Sequence, residues 1–226
     1  IQYKYVCIGL FYVFGLICLT EFNRLIKHKS SASYLILTGI YLLFAFGERL
    51  FDNDEIINQI SQIFHVLSIF VNLFLIRDLF SSRELPNLIS NQFINTTFYI
   101  SSGFVFLVLI AFNFGDYNPQ IILGIFLLIW TNDSFAYLIG KNFGKQKLFA
   151  SISPKKTVEG FLGGVFFAAI GSYFIALIAP SLSFTNWLIL SVLVSVFGTL
   201  GDLVESKYKR QASVKDSGKI MPGHGG

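Results

Sequence analysis

Asp133 interrupts the segment W-T-N-D-S-F-A-Y-L-I-G after ten nearly uninterrupted apolar residues. A carboxylate in such surroundings is expensive unless it faces protein, water or a cation. On a helix, Tyr137 shares its face at spacing four, and Asn132 and Ser134 flank it. Further along, G-T-L-G-D-L-V-E-S-K sets Asp202 and Glu205 three apart, so two carboxylates leave one helical face together. Hard divalent cations such as magnesium want such oxygens, usually one or two carboxylates completed by substrate phosphates.

The cations gather in two places. The stretch G-K-N-F-G-K-Q-K-L-F-A-S-I-S-P-K-K-T-V-E-G-F-L-G-G carries Lys141, Lys145, Lys147, Lys155 and Lys156, with Gly140, Gly144 and Gly160 among them. Ammonium groups and glycine-exposed backbone N–H groups suit phosphates, Ser153-Pro154 predicts a turn, and Lys-Lys-Thr157 then enters a helix whose N-terminus attracts anions. This is not a P-loop, because G-x-x-x-x-G-K-[ST] is absent. After Asp202, the residues Ser206, Lys207, Lys209 and Arg210 add a hydroxyl and cations, and Lys215-Asp216 repeats the acid-base mixture in a glycine-rich stretch. His224 alone reads more readily as a structural or capping residue than as a catalyst.

These residues need elements to hold them, and the composition says which. Of 226 residues 54% are apolar and 13% charged, with a mean hydropathy of +0.64. A soluble domain carries about twice that charge fraction. The expected fold is an all-α polytopic membrane protein, one integral membrane domain over 1–226, with N-terminal spans in 1–112 and the site in 113–226. Seven apolar segments approach the length needed for a hydrocarbon core of about 30 Å. They are 5–20, 33–47, 56–76, 93–112, 119–139, 160–179 and 184–204, the second cut short by Glu48 and Arg49.

Basic residues fall on alternate loops. Arg24, Lys27, Lys29, Arg77, Arg83, the five lysines above, Lys207, Lys209, Arg210, Lys215 and Lys219 share one side, leaving only Lys4 and Arg49 of the 17. The positive-inside rule puts that side in the cytoplasm, opposite Asp52, Asp54, Glu55 and Asp116. The net charge of +4 is thus a topological feature, and no aromatic-basic module for nucleic acid accompanies it. Cys7 and Cys18 lie about 16 Å apart along one helix, too far to bridge. The chain opens at Ile1 without a basic n-region or cleavage site before Glu21, and both ends read as those of a fragment.

The segment S-K-Y-K-R-Q-A-S-V-K-D-S-G-K-I-M-P-G-H-G-G resembles the pattern S-x-x-K-R-x-x-x-x-K-D-x-G-x-x-x-P-G-H-G-G of CDP-diacylglycerol synthases (phosphatidate cytidylyltransferases) at every fixed position. D-S-F-A-Y-L-I-G-K-N-F-G-K and S-P-K-K-T-V-E-G are similar to two further stretches of that family. Together they cover roughly 130–226, whereas the first half is similar only in hydropathy and in a Glu, here Glu21, ending an early span. The family pattern continues into a D-R-x-D segment past Gly226, so the expectation is an inactive fragment.

The resemblance implies transfer of CMP from CTP to phosphatidate, giving CDP-diacylglycerol and pyrophosphate for phospholipid biosynthesis. It implies Mg2+, alone or with a second monovalent or divalent cation, with Asp202 and Asp133 as metal ligands. Asp202, Asp216, Lys215, Arg210 and Lys209 are the implied catalytic set. Asp133, Lys155, Lys156, Thr157, Glu159, Ser206 and His224 are the implied substrate contacts. The implied partners are CTP, phosphatidate and the bilayer, a homodimer is compatible, and the expected location is a bacterial inner membrane with the site facing the cytoplasm. A transporter of a small anionic solute and a non-catalytic membrane scaffold are the alternatives from other classes. The closest chemical neighbour, a CDP-alcohol phosphotransferase, lacks support because D-G-x-x-A-R is absent.

Overall fold

A computed structural model of the chain describes residues 2–50, 54–82, 84–86, 91–112 and 117–218. His224, Lys219, Asp116, Arg83 and Asp52 lie outside the described residues. The chain divides into two compact units, Ile1–Tyr117 with Tyr208–Gly226, and Asn118–Lys207.

The first unit holds helices α1 (Gln2–Leu25), α2 (Ala32–Leu50) and α3 (Asp54–Leu79). A composite helix follows, in which α4 (Gln92–Asn95) passes through a π-helical turn (Thr96–Ser101) into α5 (Ser102–Ala111). Its core is apolar at Leu19, Leu37, Leu75, Leu79, Val105 and Val108, all at most 2% exposed. The π turn breaks the regular ladder, and side chains repair it: Asn72 Nδ2 and Ser102 Oγ both donate to the Phe98 carbonyl, at 3.0 and 2.7 Å. In lipid a freed carbonyl needs such a partner. Helix α1 ends where Lys27 turns to φ 55°, letting His28 N–H reach back to Asn23 O at 2.8 Å.

The second unit holds α6 (Pro119–Phe143), a hairpin of β1 (Lys147–Phe149) and β2 (Ser153–Thr157), α7 (Val158–Ile178) and most of α8 (Phe184–Gln211). Asn118 caps α6 by accepting from Gln120 N–H at 3.0 Å, and Pro119 takes the first turn, where no N–H is needed. Along α7 the buried Gly160, Gly164, Ala168 and Ser172 recur every four residues. They face Asn132, Ala136 and Gly140 of α6 so closely that a Cβ on Gly164 would stand 2.7 Å from Asn132 Oδ1, and one on Gly160 2.7 Å from Ala136 O. Such small-residue seams let membrane helices meet backbone to backbone. Phe135 and Phe167 stack beside the seam at 3.9 Å. The start of α8 is held by Trp187, wholly buried against Gly124, its Nε1–H donating to Ala179 O at 3.0 Å.

All seven expected segments are helical, and the protein is an all-α polytopic membrane protein. Among the described residues six helices are long and apolar enough to span, while the apolar part of α2, Ala32–Gly47, at about 24 Å by helical rise, is shorter than a hydrocarbon core. Large side chains such as Leu35, Ile63, Phe166 and Leu177 are more than 60% exposed, as lipid-facing residues are. Two expectations are corrected. The lysine-rich connection is an antiparallel hairpin rather than a loop, pairing Lys147 with Thr157 and Phe149 with Ser153. Its turn lies at Ala150-Ser151, and Pro154 enters the strand near its start, where a missing N–H costs little. Helix α8 also runs to Gln211, seven residues past the expected end, because its last two turns are polar but still helix-forming.

Candidate active site

Within the second unit a cavity of about 540 Å3 opens where three helices and the hairpin converge. Helix α6 contributes Asn132, Asp133, Tyr137 and Lys141; the hairpin contributes Lys147, Pro154, Lys155, Lys156 and Thr157; α8 contributes Thr199 and Asp202. Four lysines thus face two aspartates, a surplus of positive charge suited to a polyphosphate. The volume lies in the range of small-molecule sites.

Lys156 Nζ donates to Asp202 Oδ2 at 2.8 Å, joining β2 to α8 across the cavity. Asp133 is within electrostatic reach of both partners of that pair. Asn132, 5% exposed, orients it by donating from Nδ2 to Asp133 Oδ1 at 3.1 Å. Two carboxylates from different helices, separated by 69 residues of sequence, are therefore brought to one cavity. Among the described residues no third His, Cys, Asp or Glu joins them. That donor set fits magnesium, which takes one or two carboxylates and completes its octahedron from phosphates and water. The ammonium of Lys156 already shows that Asp202 draws a cation at this point.

Several residues named from the sequence are engaged in holding the scaffold. Thr157, 6% exposed, caps α7 by accepting from Gly160 N–H at 3.1 Å. Glu159 accepts from the N–H groups of Lys145 at 3.0 Å and Gln146 at 3.1 Å, tying the end of α6 to the first turn of α7. Three backbone donors that the glycine-lysine stretch offers to phosphate are thus occupied, and Gly140, Gly144 and Gly160 are there for close packing instead. Ser206 is half-buried on α8 and does not line the cavity, nor does Glu205.

Lys209, Arg210, Lys215 and Asp216 belong to the first unit. Arg210 Nη1 donates to Val214 O at 3.4 Å, and Ser213, at φ 58°, closes the end of α8 with Val214 N–H on Lys209 O at 2.9 Å. Lys215 and Asp216 are exposed beyond this turn. Sequence reasoning passed over Thr199, whose only signal is its place three residues before Asp202 on the same helical face. It also treated Asn132 as a mere neighbour of Asp133.

The profile of the cytidylyltransferase family matches residues 1–226. Over 223 residues the chain is 37% identical to a phosphatidate cytidylyltransferase of Bacillus subtilis (strain 168), covering 96% of this chain and 80% of that protein. The phosphatidate cytidylyltransferase of Staphylococcus aureus (strain COL) is 44% identical over 134 residues, 57% of this chain and 48% of its own. That of Staphylococcus haemolyticus (strain JCSC1435) is 48% identical over 107 residues, 46% of this chain and 41% of its own. With a match over its whole length and a relative aligned along nearly all of it, the chain belongs to the cytidylyltransferase family.

Proposed function

We propose that the chain transfers the CMP moiety of CTP to phosphatidate, releasing pyrophosphate and forming CDP-diacylglycerol. The observation that carries this reading is the cavity of the second unit, where Asp133 and Asp202 meet four lysines between membrane helices. A phosphate oxygen of the lipid attacks the α-phosphorus of CTP, the bond to the β-phosphate oxygen breaks, and pyrophosphate leaves with that electron pair. No Ser or Cys nucleophile is required, and catalysis is mainly positioning and charge neutralisation.

Lys155 is exposed and free to reach phosphate oxygens, whereas Lys156 exchanges its carboxylate partner for phosphate when substrate enters. Asp202 and Asp133 would hold Mg2+, with Asn132 fixing the orientation of Asp133. Bound there, the ion neutralises phosphate charge as the α-phosphoryl group moves. Roles for Lys209, Arg210, Lys215 and Asp216 toward phosphate rest on their motif alone. The site faces the cytoplasm of a bacterial inner membrane, as the one-sided distribution of lysine and arginine supports.

The test is incubation of the full-length protein in detergent with CTP labelled at its α-phosphate, phosphatidate and Mg2+. Label should enter chloroform-extractable lipid only when phosphatidate is present, with one pyrophosphate released per lipid formed. Failure to label lipid by protein that remains folded would overturn the reading.

A further inference from the structure

Glu21 is a carboxylate only 7% exposed, near the end of α1. Buried carboxylates are normally paired with a cation or several donors. Among the described residues its hydrogen-bond partner is the hydroxyl of Ser217, whose Oγ donates to Oε2 at 3.3 Å. Next to it, the backbone of Gly218 lies against the same carboxylate so closely that a Cβ there would overlap Oε1 and Cδ of Glu21. The acid therefore presses on the two residues that immediately follow Lys215-Asp216.

The position of Glu21 is fixed from both sides of this contact. Its neighbour Phe22, 4% exposed, packs edge-on against Tyr208 at 5.1 Å and tilted against Tyr99 at 5.4 Å, and Tyr99 meets Tyr208 at 5.8 Å. This three-ring cluster sets the register between the end of α1 and the segment leaving α8. The left-handed Ser213 then turns the chain back, with Ser213 N–H on Arg210 O at 2.9 Å, so that Ser217 and Gly218 arrive at the carboxylate. Everything in the contact lies in the first unit.

We propose that Glu21 is a positioning residue for the Lys215-Asp216 loop, clamping it through the Ser217 hydroxyl and the Cβ-free face of Gly218. The assignment rests on the cytidylyl-transfer reading for its catalytic consequence, and on the contact alone for its structural one. Gly218 suits the clamp because a Cβ there would have to push the Glu21 carboxylate out of its place. Ser217 is required as the donor that sets which way the loop leaves the carboxylate.

The experiment uses the full-length protein and two readouts, lipid labelling from CTP and the rate of tryptic cleavage after Lys215. Glu21→Ala should lower kcat at least tenfold and speed cleavage after Lys215 about fivefold, with the melting temperature little changed. Glu21→Gln keeps an acceptor for Ser217 and should restore most of both. Gly218→Ala should reproduce the loss, and combining it with Glu21→Ala should add little, because both changes release one loop. Wild-type turnover and wild-type cleavage in Glu21→Ala would overturn the proposal, as would losses that multiply in the double variant. A wild-type protein that labels no lipid would instead overturn the cytidylyl-transfer reading, and the cleavage arm would still decide the clamp.

Discussion

Lys156 and Asp202 form an ion pair across the cavity, and their side chains are 32% and 57% exposed. An exposed pair of this kind contributes about 0–1 kcal/mol to stability. Asp202→Asn should therefore leave thermal unfolding almost unmoved while lowering CDP-diacylglycerol formation on the order of a hundredfold, the loss typical of removing one charge-stabilising group. Parallel melting curves and lipid-labelling rates check both halves, and near-normal turnover would take Asp202 out of the site. Asn132→Ala acts one step further out. It removes the donor that orients Asp133, so the expected loss is smaller, about tenfold, and should appear in the magnesium dependence of the rate before it appears at saturating metal. Asp133 was legible in the sequence because a charge amid apolar residues announces itself. Asn132 was not, because its work depends on a rotamer and on Gly164 lying 32 residues away.

At the scale of elements, the seam between α6 and α7 makes the site possible, since it sets Asp133 beside the hairpin that α7 follows. A methyl group on Gly164 would press 2.7 Å from Asn132 Oδ1 and 2.9 Å from Asn132 O. Gly164→Ala should accordingly destabilise by about 1–3 kcal/mol, the cost of overpacking a tight contact. Gly198→Ala on α8 is the control, because its Cβ would meet nothing within 4 Å among the described residues. It should be neutral or stabilising by up to about 1 kcal/mol, as alanine favours helix over glycine. Thermal unfolding in one detergent compares the two. The end of α8 offers a third case: Ser213 sits at φ 58°, and Ser213→Gly should stabilise by about 1 kcal/mol by relieving a left-handed side chain. Helix positions were readable from apolar runs, whereas the hairpin was not. Its strands are three and five residues long, and they are pinned by Glu159 bonds to residues 13 and 14 positions earlier.

The described helices expose large apolar side chains outward, so orientation is carried by their ends. In the second unit the hairpin marks one end of the α6–α7 pair. The other end is tied by Asn118 Nδ2 donating to Ser181 Oγ at 2.8 Å and Ser181 Oγ to Gln120 Oε1 at 2.7 Å. Cysteines replacing Lys145 and Pro180, both exposed, should therefore label from opposite sides of sealed membranes, Lys145 from the cytoplasmic side. Labelling of both from one side would overturn the span assignment for this pair. The alternation of basic residues is what proposes this orientation from the sequence, because charge asymmetry is additive along the chain and needs no knowledge of packing. The division into two compact units was not visible, because it depends on which helices touch.

The π turn at Thr96–Ser101 has a bearing on how this chain can change length. A turn of this type accommodates one residue beyond the α-helical number while keeping the helix on either side in phase. Deleting Ile100 should let the turn close as ordinary helix and leave Val105 and Val108 aimed inward, at the expense of the Asn72 bond to Phe98 O. Deleting Leu107, in the regular part, instead rotates everything beyond it by about 100°. The turn is thus a splice point, where a single codon can be lost without resetting the rest of the span.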